Sequence, residues 1–166
     1  MQHIIKKSQE YSYPAKVALV VSDEPNAPGI KIAKDWNIPI IIFNKEILNN
    51  LEYYKIDFCI LAGYMSILKE DIINRYKNRI LNIHPSLLPL HKGKDAQEKA
   101  LKSNALISGC TVHIVEKKVD SGKILARVAI PILANDTKES LKNKILHLEH
   151  LLYPEVISNY IKTYEN

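Results

Sequence analysis

Glycine is scarce in this sequence. There are five in 166 residues, Gly29, Gly63, Gly93, Gly109 and Gly122, each standing alone. That spacing excludes the glycine-rich turn whose backbone amides cradle a phosphate at the head of many α/β domains. Cysteine is rarer still, with two residues, in DFCILAGY and SGCTVHIV. Both runs are apolar and strand-like, and neither has metal-ligand spacing, so buried free thiols are expected rather than a disulfide or zinc framework. No apolar window is long enough to span a bilayer, and the opening MQHIIKKSQEY carries no hydrophobic leader, so the expected location is cytoplasmic. Repeats, linkers and low-complexity tracts are absent, which leaves one expected domain over residues 1–166.

What is present is an ordinary globular composition: 46% hydrophobic and 25% charged, enough for a proper core. The net charge of +5 suits an anionic small ligand or a nucleic acid equally and decides nothing by itself. Short apolar runs alternate with helix-like stretches. VALVVS (17–22), PIIIFN (39–44), DFCILAGY (57–64) and RILNIH (79–84) read as strands. Their apolarity is continuous rather than alternating, the pattern of a parallel sheet covered by helices on both faces. GIKIAKDW, KEILNNLEYYK, KEDIINRYK and KDAQEKALKSN have helical spacing. Two longer strands, GCTVHIVEK and KILARVAIPI, flank Val119-Asp120-Ser121-Gly122, which predicts a tight turn and antiparallel pairing. Residues 137–163 are amphipathic and helical, with Pro154 expected to kink or split the helix. The element order predicts a three-layer, doubly wound α/β domain with a mostly parallel sheet.

The stretch RILNIHPSLLP carries the chemistry. Side chains two apart on a strand share a face, so Asn82 and His84 point the same way near the carboxyl end, where open α/β sheets bind ligands. A lone His is more often a satisfied or solvated residue than a catalyst. An Asn beside it changes the balance, because an amide donor with an imidazole is what a developing oxyanion needs. A carboxylate must then set the imidazole's charge and tautomer, and Asp120 is the candidate, although Asp-Ser-Gly is also a common turn. Thr111 and His113 alternate on the GCTVHIV strand, either facing the same cleft or satisfied in the core. HLEH places His147, Glu149 and His150 within one helical turn; solvated helix residues explain it better than a metal. Lys92 and Lys94 flank Gly93 in a loop that could meet an anion, though most such lysines are merely solvated.

NIHPSLLP, together with LAGYMSIL, GCTVHIVEKKVDSGKIL and LEHLLYP, resembles the phosphoribosylglycinamide formyltransferase family over about residues 2–160. The resemblance implies transfer of a formyl group from 10-formyltetrahydrofolate, as cosubstrate and without a metal, to the amine of glycinamide ribonucleotide in purine synthesis. Its catalytic residues fall on Asn82, His84 and Asp120; Thr111 and His113, from their strand alternation and not from the resemblance, are the supporting candidates. A folate pocket is implied at Tyr64, Met65, Ile67, Leu68 and Leu81, and along Val115 to Asp120, including Glu116 and Val119. Pro85 and Glu149 are implied to meet the nucleotide substrate, Glu149 at its ribose. The partners expected are small molecules, with no nucleic acid and no membrane; homodimerisation is left open.

Departures from the family are equally visible. Members usually begin with a strand and a G-x-G-S-N loop that grips the substrate phosphate; here the chain opens on the helix that should follow. Each such hydrogen bond to a charged group is worth about 1.5–3 kcal/mol, and the absent strand should lie inside the sheet, leaving unpaired edges. Either the true start lies upstream, a partner chain fills the gap, or the protein is a decayed or repurposed relative. Ser66 stands where a basic residue is usual, Asp95 where His is usual, and the region between Phe43 and Asp57 is short. The competing readings are a 10-formyltetrahydrofolate hydrolase, which needs no substrate phosphate, and a non-catalytic folate-binding remnant. A methionyl-tRNA formyltransferase would need a second, nucleic-acid-binding domain.

Overall fold

The apolar runs become short strands, and the amphipathic stretches between them cover both faces. The computed structural model describes residues 1–164. In chain order it has α1 (Gln2–Lys7), β1 (Val20–Ser22), α2 (Pro28–Asp35), β2 (Ile40–Ile42), α3 (Ile47–Tyr53), β3 (Cys59–Leu61), α4 (Glu70–Arg75), β4 (Ile80–His84), α5 (Ala96–Lys102), β5 (Ile107–Ile114), β6 (Ile124–Pro131) and α6 (Lys138–Tyr164). β1 and β2 form a parallel pair of their own; in the four-stranded sheet β3–β4 is parallel while β4–β5 and β5–β6 are antiparallel, so β5 alone runs against its neighbours. Among the described residues no helix is long and apolar enough to cross a membrane.

The sheet comes in two parts, β1–β2 and β3–β4–β5–β6. Between them lies a cavity of about 870 Å³, lined by residues 13–23 and 55–64 together with part of α1. Val20 N–H donates to Pro39 O and Cys59 N–H to Arg79 O, so the alternate residues Val21 and Ile60 turn their backbone groups toward that cavity. This matches the unpaired edges expected from the sequence.

Period-two alternation along β4 divides the core. Ile80 packs with Ile47, Leu51, Ile72, Ile73 and Tyr76 of the α3–α4 layer. Leu81 points the other way, against Tyr153, Ile157 and Ile161 of α6. The Tyr153 hydroxyl reaches Leu61 O at 3.0 Å and Leu81 O at 2.9 Å, fixing α6 across the β3–β4 pair.

Two expectations are corrected here. Pro154 does not split the last helix; α6 runs for 27 residues through it. The buried face carrying Tyr153, Pro154, Ile157 and Ile161 packs on the sheet, and that burial offsets the roughly 3 kcal/mol cost of an internal proline. The Pro154 carbonyl also accepts a hydrogen bond from the Tyr13 hydroxyl at 2.8 Å. The β5–β6 connection is not a tight turn around Val119 to Gly122. It is a loop over residues 115–123, closed at its base by Ile114 N–H donating to Lys123 O. Gly122 is required there because a Cβ would lie 1.9 Å from the Ile114 carbonyl oxygen. Asp120 takes a left-handed conformation, φ +50, which Asp tolerates better than most residues.

Candidate active site

Strand pairing builds the site before any loop contributes. In the β4–β5 register Asn82 lies opposite His113 and His84 opposite Thr111, so four polar side chains share one patch of sheet at the carboxyl end of β4. His113 and Thr111 are almost fully buried, and both are hydrogen-bonded, as burial demands.

The 115–123 loop then carries Asp120 onto this patch. Its Oδ2 lies 3.4 Å from His84 Nδ1 and its Oδ1 lies 3.6 Å from His113 Nε2. The same carboxylate accepts a 2.8 Å hydrogen bond from Gly93 N–H, which ties it to the loop following β4. The side chains of His84 and Asp120 are only 7% and 8% exposed, so their attraction is weakly screened by water. His84 Nε2 lies 3.0 Å from the His91 carbonyl, an acceptor only, so Nε2 carries a proton. The Nδ1 edge is therefore the one that faces Asp120.

The loop after His84 is held from beneath. Thr111 Oγ1 donates to Ser86 O at 2.6 Å and accepts from Leu88 N–H at 3.0 Å. Ser86 Oγ donates to Leu90 O at 2.6 Å, and Arg127 donates to Leu88 O at 3.0 Å. Pro85 starts this loop, half-buried beside His84. Thr111 thus supports the loop that positions His91 O, and through it the His84 ring. Backbone groups of His91 and Gly93 complete the site, and residue type does not announce them; the lone Gly93 between two lysines is the one cue.

The segment expected to meet a folate borders the catalytic patch. Tyr64 packs against Phe43 at 6.3 Å between ring centroids, and Ser66 Oγ reaches Asp23 at 3.0 Å, tying this loop to the end of β1. Met65, Ile67 and Val119 leave 64%, 77% and 48% of their surface exposed. Leu68 and Val115 sit beneath, half-buried, while Glu116 is exposed. Leu81 does not join them: it is fully buried under α6 on the opposite face. Its neighbour Ile80 shares the cluster with Leu61, Leu68 and Val115, because one residue along a strand reverses the face. Ile80 is itself fully buried, on the strand face that Asn82 shares.

Glu149 stands apart on α6 and makes no hydrogen bond to Asn82, His84 or Asp120. Burial pushes its carboxyl up to about 7, with the Met1 α-amino group pulling it back. Nearby, His3 and His150 stack at 4.0 Å. Among the described residues no group of three or more His, Cys, Asp or Glu could hold a metal ion. A carboxyl raised from 4.5 to about 7 keeps its proton on folding, so its ionisation costs stability as pH rises between those values. Glu149→Gln is therefore expected to match the parent's stability near about pH 4.5 and exceed it by up to about 3 kcal/mol above pH 7, at 1.36 kcal/mol per pH unit. Melting curves of both proteins at about pH 5 and pH 8 check this; a gap that does not widen with pH would contradict the assignment.

A sequence profile described as Formyl transferase matches residues 1–157. Phosphoribosylglycinamide formyltransferase of Bacillus subtilis is 34% identical over 169 residues, covering 95% of this chain and 87% of the relative. The chloroplastic phosphoribosylglycinamide formyltransferase of Arabidopsis thaliana is 37% identical over 158 residues, covering 85% of this chain; the chain spans 54% of that relative's length. The crystal structure of glycinamide ribonucleotide transformylase 1 from Symbiobacterium toebii superposes with a TM-score of 0.91 at 37% identity, covering 95% of this chain and 79% of the other.

Proposed function

The chain belongs to the formyl transferase family, and from that premise we propose that it transfers the formyl group of 10-formyltetrahydrofolate to the primary amine of glycinamide ribonucleotide. The observation that carries this reading is the convergence of Asn82, His84 and Asp120 from two strands and a loop into one buried cluster. The names of its relatives supply the acceptor, and likeness to the trifunctional purine biosynthetic protein adenosine-3 of Homo sapiens, 33% identical over 168 residues, supports a place in purine synthesis.

On this reading each residue has a task. The acceptor amine attacks the formyl carbon, and the carbonyl oxygen becomes an oxyanion. Asn82, through an amide N–H, and His84, through its Nδ1 edge, are the donors that meet this charge where water is largely excluded. Asp120 holds His84 by its charge and, fixed by Gly93 N–H, lies where a water could pass the amine's proton onward. The bond from the formyl carbon to the folate nitrogen then breaks, and that nitrogen takes up the proton. The products are the formylated amine and tetrahydrofolate.

The exposed apolar residues Met65, Ile67 and Val119, over Leu68, Val115 and Ile80, are the surface we assign to the folate ring system. Tyr64 borders it, Glu116 lies at its rim, and Pro85 with its following loop lies toward the nucleotide. Glu149 keeps its proposed contact to the ribose. The reaction is placed in the cytoplasm.

The test is the fate of the formyl group. Incubation with 10-formyltetrahydrofolate is expected to give formylated glycinamide ribonucleotide, with tetrahydrofolate appearing only when the amine is present. Amine-independent release of formate would instead make the protein a hydrolase, and saturable folate binding without turnover would make it a remnant.

A further inference from the structure

His113 lies directly across the strand pair from Asn82 and is almost fully buried. Its two ring nitrogens have different partners. Nδ1 is 2.9 Å from the Ile114 carbonyl, which can only accept, so Nδ1 bears a proton. Nε2 is 3.2 Å from the Asn82 side-chain nitrogen, which can only donate, so Nε2 must be bare for that contact to be a hydrogen bond. We propose that His113, as the neutral Nδ1–H tautomer, is a positioning residue that accepts a hydrogen bond from Asn82 and so fixes which way its amide faces.

The consequence for the site follows from amide geometry. With its nitrogen turned toward His113, Asn82 spends one N–H on the imidazole and keeps the second for the substrate oxygen. Asn82 makes no other side-chain hydrogen bond among the described residues, so nothing else chooses its orientation. A protonated His113 would reverse the choice. Its Nε2–H would need an acceptor, either the Asn82 oxygen or Asp120 Oδ1 at 3.6 Å, and the amide would rotate or lose its anchor.

The surroundings favour the neutral ring. Burial lowers the affinity of His113 for a second proton and outweighs the Ile114 carbonyl and Asp120, which raise it; the neighbouring His84 on β4 and Lys92 in the following loop act in the same direction as burial. On the β6 side it faces Ile124, which is apolar. The inference rests on the formyl-transfer reading for its kinetic consequence only; the hydrogen bond itself is independent of any activity.

Two variants and one spectrum test it. His113→Leu fills the space without an acceptor, and His113→Gln offers an amide oxygen near the position of Nε2. In the transfer assay His113→Leu is expected to lose at least 10-fold in kcat with KM for both substrates within about threefold, a loss of one well-aimed donor. His113→Gln is expected to recover most of that loss and to move the acid limb of the pH profile to lower pH. Equal impairment of the two variants at matched melting temperatures would overturn the proposal, as would parent-like kcat in His113→Leu. Heteronuclear NMR of the parent at about pH 7 gives a readout that needs no turnover. A protonated Nδ1, a bare Nε2 and an Asn82 amide coupled to it are expected; a doubly protonated ring or the opposite tautomer would sink the idea even if formyl transfer is confirmed.

Discussion

Asp120→Asn is expected to lower kcat by about 10²- to 10⁴-fold, the usual range when the partner of a working imidazole loses its charge. The substitution is nearly isosteric, and its amide oxygen can still accept from Gly93 N–H, so the loop over residues 115–123 keeps its anchor. What disappears is the negative charge 3.4 Å from His84 Nδ1. With Nε2 committed to the His91 carbonyl, Nδ1 is the ring nitrogen that faces this carboxylate. An amide there can present a hydrogen to Nδ1 instead and lock the wrong tautomer. Single-turnover formyl transfer, with circular dichroism to confirm folding, checks the prediction. A variant within threefold of the parent would remove Asp120 from the mechanism.

Asn82→Ala is expected to slow turnover by about 10²- to 10³-fold, because one donor aimed at a developing oxyanion is worth about 2.7–4 kcal/mol. Substrate binding should change much less, since the ground-state formyl oxygen carries little charge. The loss should therefore fall on kcat, and KM for the folate should stay within severalfold. Asn82 is only partly buried, so its removal leaves a small, wettable space rather than a core cavity. The cost to folding should be modest, including that of leaving His113 Nε2 without its donor. Steady-state kinetics of the folded variant decide the matter; turnover at the parent rate would mean that another group meets the oxyanion.

The local pattern of RILNIHPSLLP already contained half of this site. A strand alternates its faces by geometry, so Asn82 and His84 had to share one, and the proline that follows had to end the strand. The layers were equally readable, since continuous apolar runs separated by amphipathic stretches have few other ways to bury their surface. Residue-level placement was less secure. Leu81 and Ile80 are both fully buried and apolar, and nothing in their identities says which one packs under α6 and which against α3 and α4. Only the position of α6, held by the Tyr153 hydroxyl on Leu61 and Leu81, settles it.

The sequence by itself determined the α/β class, the polar pair on β4 and, through motif likeness, the family. Those are properties of short range, written in periodicity and in residue type. Tertiary structure decided what brings the site together: the β4–β5 register that sets His113 against Asn82, and the long loop that swings Asp120 onto His84. It also decided that Gly93 N–H and His91 O hold the pair in place. Backbone groups carry no signature in a sequence, and partners that lie 27 or 31 residues apart meet only because the strands between them pair.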